Sequence, residues 1–203
     1  MPSAEMTRFM DQTRIRLPGA IDSVILMEFF STMKEFLGST NIWQEIIPFN
    51  IVAATGDPTI DPTDFTYTVS PTSGAINRLI TVLNDAGKPV SVTMATPGEI
   101  VIMSPQTEAQ TLYAKVALTV IDPVAVDGDY PVFPDWIIGK YKNEIMDGLL
   151  GRMMTQIAKP YSSASTGIVH LKRFRSAIST ARTEATKTNL YGAQRWRFPK
   201  AFT

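Results

Sequence analysis

Apolar positions recur with the 3.6-residue period of a helix in three stretches of this 203-residue chain. Between the first and second stretch they recur in short runs, some with a two-residue period. The clearest helical stretch is 134–161, PDWIIGKYKNEIMDGLLGRMMTQIAKPY. Ile137, Ile138, Tyr141, Ile145 and Leu149 share one face, and Met146, Leu150, Met153 and Ile157 share an adjacent one. Lys140, Asn143, Glu144 and Asp147 form a narrow polar strip opposite. So wide an apolar sector predicts a helix covered on two sides. Pro134 suits a first turn, Asp135 complements the helix dipole there, and Pro160 is expected to end the helix. Gly148 and Gly151 lie about one turn apart inside it. Each costs about 1 kcal/mol relative to Ala, so another backbone is expected to approach closely at that point.

A second helix is predicted over 21–37. Ile25, Leu26, Phe29, Phe30, Met33, Phe36 and Leu37 gather on one side, with Gly38 as the expected C-terminal cap. A third follows from SSASTG onward, with Leu171, Phe174, Ile178, Ala181 and Ala185 on one face and Ser162, Ser163 and Ser165 as candidate N-caps. Between the first two helices in chain order lie EIIPFNIVAA, DFTYTVSP, INRLITVLN, VSVTMAT, EIVIMS and TLYAKVALTVID, separated by Gly-, Pro- and Asp-rich turns. In DFTYTV, Phe65, Tyr67 and Val69 alternate with Thr66 and Thr68, as in a half-buried strand, and LNDAGKPV reads as a hairpin turn. The expected architecture is α+β: a bundle of three to four helices interrupted by an inserted antiparallel β-module of five to six strands, followed by an extended C-terminal tail. The expected divisions are a loose N-terminal arm at 1–17, a discontinuous helical domain at 18–46 and 124–188, the β domain at 47–123, and the tail at 189–203.

Composition narrows this picture little: 44% of residues are apolar. There is no cysteine, which excludes disulfides and thiolate metal sites, and no apolar run reaches the length of a membrane span. Residues 1–19 lack the apolar core of a secretory signal, so a cytosolic origin is expected. Charge adds more. From Ala158 onward nine basic residues face one acid, Glu184, so that segment carries +8 and the rest of the chain −8. Such polarity suits ends that meet different partners or each other across subunits; two solvated faces of one domain would look the same.

No catalytic constellation is legible. His170, the single histidine, lies at the edge of the third helix's apolar face and reads as a surface or half-buried polar residue. Phosphate-cradling glycine loops and a GxSxG nucleophile turn are absent. Asp57, Asp61 and Asp64 have neither the spacing nor the glycine and terminal Glu of a calcium loop, and read as a turn-rich connector. No cofactor is expected. Arg152 falls within the apolar sector of the central helix, where it either reaches outward or pairs with a carboxylate; Glu28, Glu35 or a neighbouring subunit would supply one. The basic third helix suits contact with nucleic acid, although no DNA-reading motif matches. In the tail, LYGAQRWRFPKAFT, Trp196, Phe198 and Phe202 alternate with Arg195 and Arg197. Such a segment either folds back on its own bundle or anchors another protein, for which aromatic and Arg side chains are the preferred composition.

The segments LPGAID, EFLGSTNIWQE, YTVSPTSGAINRLITV, FPDWI, MDGLLGRMMTQIAKPYS, RFRSAISTARTEA and GAQRWRFP together resemble the head–tail connector, or adaptor, proteins of short-tailed bacteriophages. DGLLGRMM followed by KPYS is the most telling piece. The resemblance spans roughly 17–198, most of the chain, and rests on structural motifs. It implies a non-enzymatic virion protein at the head–tail junction, assembled in the host cytoplasm. It also implies a ring of twelve copies beneath a portal protein, tail or nozzle proteins below, double-stranded DNA passing through the lumen, and no membrane. By the same resemblance Tyr191, Arg195, Trp196, Arg197, Phe198 and Phe202 are the expected portal contacts. Gly148, Gly151 and Arg152 are expected at bundle or subunit packing. The alternative expectation is a ligand- or carbohydrate-binding module carried by the β domain.

Overall fold

The computed structural model describes residues 3–51, 65–103, 108–121 and 132–188. They form an α+β fold, and among them are four helices and six strands: α1 (Ala4–Arg16), α2 (Asp22–Thr40), β1 (Gln44–Ile51), β2 (Thr66–Thr68), β3 (Ala75–Asn84), β4 (Val92–Thr96), β5 (Glu99–Ile102), β6 (Gln110–Thr119), α3 (Asp135–Met154) and α4 (Ala164–Thr188). All six expected strands form. They pair antiparallel in two three-stranded sheets, ordered β1-β6-β3 and β2-β5-β4. LNDAGKPV makes a hairpin turn at the end of β3, with Gly87 N–H donating to Asn84 O, Lys88 N–H to the Asn84 side chain and an antiparallel bridge between Leu83 and Pro89, after which the chain passes to β4 in the other sheet. The rings of Phe49 on β1 and Tyr67 on β2, 5.7 Å apart, join the sheets.

α3 is the core helix that its apolar sector predicts. Ile137, Ile138, Ile145, Met146, Leu149, Leu150 and Met153 are all buried. It packs on α1, α2 and α4 at once: Thr13 Oγ1 lies 3.4 Å from Met146 Sδ, the Phe36 and Tyr141 rings are 5.2 Å apart, and the Tyr141 hydroxyl donates to Glu184 at 2.9 Å. One cluster of buried side chains runs from Met6 on α1 through Trp43, Leu112 and Leu118 in the sheet to Ala181 on α4. The central strand β6 is buried on both faces at Val116, Ala117 and Leu118, where α2 lies against it.

Three expectations need correction. The loose arm at 1–17 contains a helix, α1: Ser3 caps it by accepting from Met6 N–H, and Met6, Phe9, Met10 and Thr13 are buried at i, i+3, i+4 and i+7. Gly38 does not cap α2. The helix continues to Thr40, Asn77 donates to the Gly38 carbonyl, and Asn41 in the left-handed region closes the helix on Leu37 O. α3 ends at Met154, before Pro160. Ser163 N–H takes the Met154 carbonyl and Ala158 adopts a φ of 57°, so the chain has already turned and Ile157 is 90% exposed.

Gly148 and Gly151 mark the tightest packing. A Cβ at Gly148 would stand 2.6 Å from Thr32 Cγ2 on α2 and 2.8 Å from the Phe174 ring on α4. A Cβ at Gly151 would stand 2.7 Å from Leu171 Cγ and 2.9 Å from its backbone nitrogen. Gly139 of the same helix has open space around it. We therefore predict opposite signs for one substitution. Gly139→Ala should stabilise by up to about 1 kcal/mol through helix propensity. Gly148→Ala should destabilise by about 1–3 kcal/mol, because overpacking against a fully buried ring outweighs that gain. Urea unfolding of the two variants decides it; equal effects would mean the α3–α4 contact has slack.

Candidate functional site

The polar residues that the fold draws together lie along the flanks of α3. On its α4 side, His170 Nδ1–H donates to Asp147 Oδ1 at 2.6 Å, both side chains half-buried. Further along, Lys140 Nζ and the Tyr141 hydroxyl both donate to Glu184, at 2.5 and 2.9 Å. The Lys140 bond holds the Glu184 carboxyl below its ordinary range, with the Tyr141 bond adding to it. Burial, then the same carboxylate, pushes the Tyr141 phenol up. Glu184 therefore contributes its stabilisation above the usual carboxylate pKa and loses it as pH falls through its own lowered value. Between Asp147 and Glu184 runs an open cleft bordered by Asn143, Glu144, Arg173 and Thr180.

Around the Lys140–Glu184 pair, on the side of the sheet, lies a groove of about 310 Å³ formed with Ile42, Trp43, Pro134 and Trp136. Trp43 is buried, whereas Trp136 is 47% exposed. α4 passes this groove four residues before its last residue, Thr188. A shallower hollow of about 500 Å³ lies between β3 and β4, lined by Arg78, Ile80, Thr81, Ser91 and Thr93.

On the opposite flank of α3, Arg152 Nη2 donates to Glu35 Oε2 at 2.5 Å and Nη1 lies 3.9 Å from Glu28 Oε2. Gln156 Nε2 donates to Glu28 as well, at 3.2 Å. The Arg152 side chain is 30% exposed, and its Nε is buried without a partner. Both carboxylates expected from the sequence are therefore engaged, from α2 of the same chain. Gly148 and Gly151 likewise give the space of their missing side chains to α2 and α4 of the same chain, which is the packing within the bundle that was one of the two expectations for them. Tyr191, Arg195, Trp196, Arg197, Phe198 and Phe202 lie outside the described residues, as do Asp57, Asp61 and Asp64.

Sequence reasoning missed two clusters, Lys140–Tyr141–Glu184 and Asp147–His170. The signals were present, since Glu184 is the lone acid of the basic segment and His170 the only histidine. It also missed Lys115, 9% exposed on the central strand, whose ammonium burial pushes below its usual range. Among the described residues no group of three or more His, Cys, Asp and Glu stands close enough to hold a metal ion, and no helix is long and apolar enough to cross a membrane. Compared with known proteins, the chain matches no family model and no curated protein.

Arg152 supplies a test of how this flank is held. Arg152→Met keeps most of the packing and removes the charge, whereas Glu28→Gln with Glu35→Gln leaves a half-buried guanidinium without carboxylates. The double glutamine variant should be the less stable of the two, by about 1–3 kcal/mol. Chemical denaturation measures both; a more stable double variant would show that solvent, not α2, satisfies the guanidinium.

Proposed function

We propose that this chain is a structural, non-enzymatic virion protein: a head-to-tail adaptor that assembles as a ring of twelve copies beneath a portal protein. In this reading it joins capsid to tail or nozzle proteins and continues the DNA channel, having assembled in the host cytoplasm. The observation that carries the reading is the stretch DGLLGRMM…KPYS and the helix after it. The residues that bear the resemblance to adaptor proteins are the buried half of α3, the turn at Pro160 and Tyr161, and the start of α4. Of these, Leu149, Leu150, Met153 and Tyr161 are buried in the bundle, as are Phe174 and Ala181 further along α4. Portal contact is assigned to Tyr191, Arg195, Trp196, Arg197, Phe198 and Phe202, whose aromatic and guanidinium groups suit an interface anchor.

The second reading, a ligand- or carbohydrate-binding module, rests on the hollow between β3 and β4. A glycan or small-ligand screen with hits that map to Arg78 and Thr93 would favour it. For the adaptor reading, the test is removal of residues 191–203. Residues 191–203 lie beyond α4 (Ala164–Thr188), and in this reading the truncated chain should unfold at the same denaturant concentration as the full one. It should also fail to co-sediment with a portal ring that retains the full chain. Retained co-sedimentation would remove the tail from the contact, and absence of any ring in negative-stain micrographs of the full chain with portal would sink the adaptor itself.

A further inference from the structure

α4 has a solvent face that the bundle does not use. Phe174, Ala181 and Ala185 point inward, and on the other side a helical period brings Lys172, Arg175, Ser179, Thr183 and Lys187 to the outside, all but the last within about three turns. Arg182 stands at the edge of this face, its Nε donating to Ser39 O at 2.8 Å, which fixes the guanidinium in place. Elsewhere on the helices the exposed cations are largely matched: Arg8 pairs with Glu5, Arg14 with Asp11 and Asp22, and Lys140 with Glu184. Among the described residues, Lys172, Arg175, Arg182 and Lys187 pair with no carboxylate. The one acid of this helix, Glu184, is engaged by Lys140 and Tyr141.

The helix dipole does not account for the placement. It favours cations in the last turn, where Lys187 sits, whereas Lys172 and Arg175 lie in the first half of this 25-residue helix, whose first turn carries no acid. The face also lacks what a protein partner would grip. The exposed large apolar residues of α4 are Ile168 and Val169, both in the second turn, and from Lys172 to Lys187 the outer positions are Lys, Arg, Ser and Thr. Protein interfaces depend on buried aromatic or aliphatic anchors. Contacts to a phosphate backbone draw instead on Arg, Lys, Ser and Thr, need no apolar anchor, and carry no sequence preference.

We propose that the outer face of α4, through Lys172, Arg175, Arg182 and Lys187, binds the phosphate backbone of double-stranded nucleic acid without regard to sequence. Arg175 and Arg182 stand about 10 Å apart along the helix axis, close enough to serve neighbouring phosphates. The small side chains of Ser176 and Ser179 between them let a rigid duplex come near. The assignment stands on α4 alone and does not require the ring, so failure of either reading leaves the other standing.

The test uses the full chain and two fluorescent DNA duplexes of unrelated sequence, with anisotropy followed over a salt series. Both duplexes should bind equally, with log K falling against log salt at a slope of about −0.9 per phosphate engaged. The triple variant Lys172→Gln, Arg175→Gln, Lys187→Gln spares Arg182 and its bond to Ser39. It should keep the wild-type melting curve, lose at least about tenfold in affinity at low salt, and flatten the slope by about 2 or more. Arg8→Gln with Arg16→Gln, on α1, should change neither. Three results would overturn the proposal: no binding at the lowest salt, equal loss in the α1 variant, or poly-glutamate competing as well as duplex per unit charge. The last of these would reassign the face to an acidic protein.

Discussion

The close approach of α3 to α4 is the constraint on which the rest of the bundle depends. Leu171 and Phe174 occupy the volume that side chains at 151 and 148 would fill, and Thr32 of α2 closes the same space from the other side. Three helix backbones are thereby fixed around one turn of α3. A single turn so defined leaves little freedom to the flanking polar pairs. His170 falls opposite Asp147, Glu184 opposite Lys140 and Tyr141, and Glu28 and Glu35 opposite Arg152. Each glycine costs helix propensity. What offsets it is burial of Phe174 and of the apolar faces of three helices, worth about 25 cal/mol for every Å² removed from water.

The strands are tied to this bundle by a different device. Trp43, between α2 and β1, is buried, and its indole lies where a Cβ at Gly74 would be, 2.5 Å from Cη2, with the Thr119 carbonyl at 2.8 Å. Gly74 has a φ of 77°, a conformation that other residues resist, so the turn before β3 can lie flat over the ring. Leu118 N–H donates to Trp43 O at 2.8 Å, extending the β1–β6 ladder to the end of α2. The bundle and the central strand thus share a wall of buried side chains, and β6 takes the apolar run expected of a strand covered on both faces.

What was legible in the chain was the local period; what was not was decided by partners far away. The apolar sector of α3 up to Met153 follows from spacing, and the five to six expected strands from short β-branched and aromatic runs between turn residues. α1 carries the same signal, Met6, Phe9, Met10 and Thr13 after a Ser3 cap, but Arg8, Asp11, Gln12, Arg14 and Arg16 dilute it until a neighbouring helix supplies the apolar side. The end of α3 was misplaced because Pro160 is a visible stop. The hydrogen bond that ends the helix, from Ser163 to Met154, depends on how the turn folds. The division of the strands into two sheets rests on pairings such as β1 with β6, which no short window contains. Arg152 shows both sides: its need for a carboxylate was readable from the helical wheel, but the choice of Glu35, 117 residues away, required the packing of α2 on α3.

Charge is where surface and core follow separate rules. The exposed ion pairs on α1 to α3 add little stability, about 0–1 kcal/mol each, so their effect is mainly to make those surfaces locally neutral. α4 is built otherwise. Among the described residues, Lys172, Arg175, Arg182 and Lys187 meet no carboxylate across a face of Ser and Thr, in a chain whose net charge is zero. The field of such a face reaches about 10 Å at 0.1 M salt, so it acts only on a partner that comes to the helix itself. The same packing that turns Phe174 and Ala181 inward turns Lys172 and Arg175 outward. The core thereby determines which residues the charged face presents, and a substitution that rotated α4 would lose both together.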